Sequence, residues 1–189
     1  MLPTERTLAT DLYGEHRKRI RNGDILCFSG QHWLSAFIRR LSHGRYSHAG
    51  LAFWWGERLM VLQAEARPGV QALPASRAID RYRGQVDWFP LKDEHRTPEF
   101  EAKLTEVAME LLGDPYSILD LIRVGFHYLI CTPLPKQART PHTFVCAQYV
   151  AYCYCASGLD LKPGKPDIGT TPEEIALSKY HGQAVRLKR

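Results

Sequence analysis

Two apolar runs, "RYSHAGLAFWW" (45–55) and "RLMVLQAEA" (58–66), are separated only by Gly56 and Glu57. A two-residue link between such runs signals a tight β-hairpin, and glycine suits the first central position of a type II′ turn. That geometry fixes register: with the turn centred there, residues whose numbers sum to 113 face one another, and a longer symmetric loop about the same point would not change this. His48 and Glu65 form such a pair, so their side chains are expected on one sheet face, about 5 Å apart at Cβ. Tyr46 and Gln63 fall on the same face by period-two alternation. A slip of one residue would turn Glu65 to the other side.

A carboxylate in so apolar a run is seldom buried without a partner. Beside an imidazole it fixes the tautomer and stabilises the charged form, which is what a base paired with a thiol requires. Two plainer readings stay open: His48 as a core histidine bonded to a backbone carbonyl, and Glu65 as a strand-end residue meeting water.

The rest of the chain arranges itself around this hairpin. Residues 4–21 read as a polar helix, Asn22-Gly23 as a turn and "DILCFSG" as a short strand. "HWLSAFIRRLS" has helical spacing at Trp33, Phe37, Ile38 and Leu41; "GVQAL" and "QVDWFPL" read as strands. A helix is expected from near Pro98 to Gly113, with Phe100, Leu104, Val107, Ala108 and Leu111 on one stripe. "DPYSILDLIRVGFHYLICTPLP" is markedly apolar and helical up to Pro133. Strands thus lie mostly in the first half and helices in the second, the mark of an α+β domain. At 189 residues the chain is expected to be one domain: a helical extension over 1–21, mainly sheet over 22–92 and mainly helix over 93–189.

Charge narrows the partners. A net charge of +5 and a pI near 9.0 favour anionic surfaces such as cell-wall polymer or phospholipid. The basic residues are scattered rather than interleaved with aromatics on one groove, which argues against nucleic acid. The N-terminus lacks the apolar core of a signal peptide, and no stretch has the roughly 18 apolar residues that span a bilayer, so a cytoplasmic location is expected. Five cysteines without a CxxC pair give no reason to expect zinc.

One cysteine stands apart. In "RTPHTFVCAQYVAY" (139–152) Thr143 is a candidate N-cap, which would put Cys146 in the first turn of a helix. There the helix dipole and free N–H groups favour a thiolate and can also stabilise an oxyanion. Val145, Tyr149, Tyr152, Cys153 and Ala156 supply the stripe that would anchor the helix. Cys27, Cys131, Cys153 and Cys155 lack this setting and read as buried thiols; position alone leaves the same reading open for Cys146. His32, His43 and His142 are competing bases, but none has a carboxylate placed by so simple a register.

Taken in order, "NGDILCFSG", "YSHAGLAFWW", "LQAEARPGV" and "TFVCAQYVAY" resemble the motifs of the circularly permuted branch of the NlpC-type papain-like cysteine peptidases. This is the YiiX/YebB-like group, whose distant relatives include lecithin retinol acyltransferase. The resemblance runs from about Asn22 to Ser157. In ordinary members the cysteine helix precedes the sheet that carries histidine; here the order is reversed, as in the permuted branch. The resemblance implies a permuted papain-like fold, an antiparallel sheet with the nucleophile helix C-terminal to it. It also implies Cys146 as nucleophile, His48 as general base and then acid, and Glu65 as the orienting third member. Tyr46, in the "YSH" match, is implied at the oxyanion or substrate site, and Tyr116, in "LGDPYS", as a pocket or packing residue. Gln63 joins them as a substrate-side candidate. Cys146-Ala147-Gln148 departs from the Cys-Ser-Glu of many relatives, which weakens the analogy of substrate. The expected activity is acyl transfer through a thioester, with neither metal nor organic cofactor. A cell-wall-type peptide is the first substrate class and a lipid acyl group the second; a silent binding module of the same fold is the third reading.

Overall fold

The computed structural model describes residues 12–30, 36, 39–40, 43–130 and 143–188. Its centre is an antiparallel six-stranded sheet: β1 (Ile25–Gly30), β2 (His48–Trp55), β3 (Arg58–Glu65), β4 (Gly69–Pro74), β5 (Gly84–Phe89) and β6 (Val185–Lys188). The spatial order is β4-β3-β2-β1-β5-β6. The helices that bear on the site are α1 (Ala75–Arg81), α2 (Pro98–Glu110), α3 (Ile118–Ile130), α4 (Cys146–Ala156) and α5 (Pro172–Ala176). The class is α+β, as the segregation of patterns predicts.

The hairpin forms as its turn dictates. Gly56 has φ 57°, and Glu57 is not among the positive-φ residues, which is the type II′ pattern. The β2–β3 ladder runs from Leu51 opposite Leu62 to Trp55 opposite Arg58, in the expected register. Both faces of the sheet are covered, which is why its strands read as continuous apolar runs rather than clean alternations. On one face Ile25, Leu51, Phe53 and Leu62 pack with Tyr149, Val150 and Tyr154 of α4 and with Phe100, Leu104 and Ala108 of α2. On the other, Leu26, Phe28, Ala52, Val61 and Trp88 pack with Ala78 and Ile79 of α1 and with Ile20.

Helix α2 starts as expected. Thr97 Oγ1 accepts from the Phe100 N–H at 3.2 Å, and Pro98 occupies the first helical position, where its missing N–H costs nothing. The helix ends at Glu110, and Gly113, at φ 93°, turns the chain away. Two elements fall outside the expected division. α1 interrupts the region read as sheet, and β6 supplies an edge strand from the region read as helical. Four residues of "VRLK" are too short for a period to show. Of the expected helix over 4–21, residues 12–16 are helical and Arg17–Arg19 form a 3-10 turn. Most of "HWLSAFIRRLS" and all of the 131–142 segment lie outside the described residues. No described helix is long and apolar enough to cross a membrane.

Candidate active site

Helix α4 begins at Cys146 itself, with Val145 in the N-cap position at extended φ −95°, ψ 160°. Thr143 is therefore not the cap. The reason is a contact across the chain: Phe144 bridges Tyr116, its N–H donating to the Pro115 carbonyl at 3.2 Å and its carbonyl accepting from the Ser117 N–H at 3.0 Å. Residue 144 is thereby held extended and the helix cannot start sooner. The Val145 N–H, which no earlier turn can satisfy, donates to Gln148 Oε1 at 3.2 Å. Of the expected stripe Val145, Tyr149 and Cys153 are buried, Tyr152 is half-buried and Ala156 is exposed. The coverage is wider than one stripe, since Ala147, Val150, Ala151 and Tyr154 are buried too.

His48 opens β2, pairing with Phe28 of β1, whose ring lies 5.2 Å from the imidazole. The side chains of His48 and Cys146 are hydrogen-bonded to one another, and the backbone N–H groups of Ala49 and Ala147 also point at the sulfur. Alternation puts His48 on the sheet face opposite α4, so the thiol meets the imidazole at the end of the strand, where β2 begins.

Glu65 does not touch the imidazole. His48 Nε2 bonds Gln63 Oε1 at 2.9 Å, Gln63 Nε2 donates to Glu65 Oε1 at 2.8 Å, and Gln71 Nε2 donates to Glu65 Oε2 at 2.7 Å. The expected face is correct and the expected contact is one residue too far. The cause is Gly50, which stands opposite Gln63 in the register. A Cβ there would lie 3.2 Å from Gln63 Cβ, so its absence lets the Gln63 side chain cross diagonally to His48. A carboxylate only accepts hydrogen bonds, so Gln63 must turn its amide nitrogen to Glu65 and its carbonyl to His48. His48 Nε2 then carries a hydrogen and Nδ1 is left for the thiol.

Tyr46 precedes β2 and does not follow its alternation. It lies in the core on the α4 side, its hydroxyl donating to Asp87 Oδ2 at 2.6 Å. Burial and the Asp87 carboxylate raise its pKa far above the ordinary phenol value. Tyr116 is half-buried, and the Cys146 charge adds to burial in raising its pKa above the ordinary phenol value. His43 is exposed in a left-handed turn, φ 48°, and His32 and His142 lie outside the described residues. Two residues of the site escaped the sequence. Gln71 faces Gln63 across β3–β4, but no two-residue turn joins those strands to fix their register. Glu173 of α5 accepts from the N–H groups of Arg45 and Tyr46 at 2.6 and 3.2 Å, fastening the chain that leads into His48.

The four described cysteines differ in charge preference. Burial raises the pKa of Cys27, Cys153 and Cys155 above the ordinary thiol value. It opposes the thiolate at Cys146 as well, but there the His48 charge, its hydrogen bond and the two backbone N–H groups outweigh it, and the pKa is lowered. Burial likewise works against the charge on His48. The thiolate, its hydrogen bond and the Gln63 carbonyl prevail, and the pKa rises from 6.5 to about 9. Both shifts run in the sense that favours a thiolate–imidazolium pair over the neutral one. Cys146 keeps 9% of its surface open, against none for Cys27 and Cys153. Among the described residues no group of three or more His, Cys, Asp or Glu is placed to hold a metal ion.

An antiparallel sheet with a histidine at a strand start, and a cysteine at the start of the helix packed on it, define an α+β protein with a thiol–imidazole site. Among solved structures the chain is similar to the crystal structure of the metalloprotein YiiX from Escherichia coli O157:H7, a DUF1105 protein. The two are 18% identical over 87% of this chain and 96% of that one, with a TM-score of 0.65. At that identity the likeness establishes the fold. No protein-family model and no curated protein matches the chain.

Proposed function

We propose that the protein is a cysteine-dependent hydrolase that cleaves an amide through a thioester, with Cys146 as nucleophile and His48 as base and then acid. The observation that carries this reading is the lowered pKa of Cys146, hydrogen-bonded to His48, while the other described cysteines are shifted the opposite way. The Cys146 thiolate attacks the carbonyl carbon and forms a C–S bond. The oxyanion draws on N–H groups at the start of α4. His48 Nδ1–H gives its proton to the leaving nitrogen as the C–N bond breaks. Water then attacks the thioester, its proton passing to His48, and the acid leaves as the thiolate is restored. Gln63 is the group that orients His48, with Glu65 and Gln71 bracing Gln63. Tyr116 lines the acyl side, and Tyr46 supports the strand start rather than the substrate.

The histidine strand precedes the cysteine helix in the chain, and with the resemblance of the motifs this supports a circularly permuted papain-like arrangement. A cell-wall-type peptide is the substrate class we favour, in line with that resemblance and with the basic balance of the chain. A lipid-borne acyl group is the second reading, favoured by the apolar helix α3 that follows Tyr116 directly. Thiol labelling tests the chemistry. Iodoacetamide at pH 6 to 7 should modify Cys146 far faster than the other cysteines, and His48→Ala should remove the excess. Equal labelling of every accessible cysteine would sink the proposal. Release of amine from cell-wall peptide fragments, measured against Cys146→Ala, separates turnover from silent binding.

A further inference from the structure

Helix α3, "ILDLIRVGFHYLI", is amphipathic, with Asp120, Arg123 and His127 close together on one side. The apolar face of such a helix normally packs inward, yet here it is largely exposed. Asp120 is buried, while Ile118, Leu119, Ile122, Phe126 and Ile130 are 49% to 68% exposed in a single stripe. From Ile118 to Ile130 the helix has 13 residues, and the rise between the first and the last makes this stripe about 18 Å long. Its chemistry has a sign as well. The one acidic residue of the helix, Asp120, is buried and bonded by Arg123 at 2.9 Å, whereas Arg123 itself is 58% exposed at the edge of the stripe. Arg67 is exposed in the turn whose following residues, Gly69 and Val70, lie against the 113–115 segment that leads into α3. The chain as a whole carries +5.

We infer that α3 lies flat on an anionic phospholipid surface, the stripe entering the acyl boundary and the arginines resting among the headgroups. An apolar face with a cationic rim complements such a surface on both counts. A second copy of the chain fits it less well. Arg123 sits near the middle of the helix, so two-fold packing of stripe on stripe would bring the two guanidinium groups together. Docking also sets the orientation of the site. The Ser117 N–H at the head of α3 donates to the Phe144 carbonyl at 3.0 Å, two residues before Cys146, so the thiol would stand at the membrane surface. The inference goes beyond the hydrolase reading and does not depend on it.

Sedimentation of the full chain with vesicles tests it without reference to turnover. Phosphatidylglycerol-rich vesicles should carry the protein down. Pure phosphatidylcholine vesicles should bind it about fivefold less, the share of Arg67 alone, since Arg123 is already paired with Asp120. Raised salt should weaken the binding. The Ile122→Asp/Phe126→Asp variant, altered only at exposed positions and checked for an unchanged melting curve, should lose at least about tenfold in partition. Three outcomes would overturn the inference: no sedimentation with phosphatidylglycerol, equal partition of the variant, or a dimer that the variant dissolves, since that would give the face to a second copy.

Discussion

His48 holds its proton against its surroundings. Burial alone would drive the imidazole neutral; the adjacent thiolate and the Gln63 carbonyl reverse this, and the group titrates at about 9 rather than 6.5. Glu65 acts on it only through space and through Gln63, and its charge is the weakest of the named influences. A ranking of variants follows. In an NMR titration of the His48 ring, Gln63→Ala should lower the pKa more than Glu65→Ala does, and the alkylation rate of Cys146 at pH 6.5 should fall by about tenfold or more as the ring loses its orientation. The sign for turnover is fixed by the same group. On the hydrolase reading, activity should rise with pH through the lowered pKa of Cys146 and decline as pH passes about 9, where His48 no longer has a proton for the leaving group. Gln63→Ala should bring that alkaline limb to lower pH. A larger shift from Glu65→Ala would mean that the carboxylate contacts the imidazole directly.

Within the hairpin, the glycine at position 50 matters as much as the residues that do chemistry. An added Cβ would meet Val61 Cγ1 at 2.6 Å and Gln63 Cβ at 3.2 Å, both in the packed interior of the sheet. Gly50→Ala should therefore cost about 1–3 kcal/mol in unfolding free energy and, by displacing Gln63, slow Cys146 alkylation as well. Gly14→Ala is the control: a Cβ there meets nothing within 4 Å, and neither stability nor alkylation should suffer. The hairpin was legible in the sequence because it is local, a two-residue turn and an alternating pattern that together set which residues face one another. The stripe of α2 was legible for the same reason. What the register could not tell was that a long side chain would bridge the diagonal over a glycine and place Gln63, not Glu65, on the imidazole. The start of α4 was misplaced by two residues because a bridge to Tyr116, 28 positions back along the chain by the numbering of Tyr116 and Phe144, holds Phe144 extended. Glu173 reaches Arg45 across 128 positions, and no local pattern marks such a contact.

The whole molecule closes on Asp87. This carboxylate, 2% exposed on the central sheet, accepts from the Tyr46 hydroxyl at 2.6 Å and is paired with Arg186 of β6. It therefore joins the C-terminal edge strand to the segment that leads into His48. β6 adds Leu187, fully buried against the face formed by Val86, Trp88 and Ile79, and Lys188, whose Nζ donates to the carbonyls of Ile79, Asp80 and Tyr82 at 2.7 to 2.9 Å. Removing Arg186 leaves a buried negative charge with Arg45 as its nearest cation, 3.6 Å away and half exposed. Arg186→Ala should thus destabilise the fold by about 3–5 kcal/mol, the usual cost of stripping one partner from a buried pair. Asp87→Asn removes the charge that needs the arginine, so in the double variant the loss should be smaller than the sum of the two single losses. Urea unfolding of the four proteins closes the cycle. Additive losses would mean that Arg186 supports the strand by packing alone. If the pair does the coupling, Arg186→Ala should also slow the alkylation of Cys146 by loosening Tyr46 and the strand start it secures, whereas Leu187→Ala, comparable in stability loss at about 2–5 kcal/mol, should leave that rate unchanged in the folded protein.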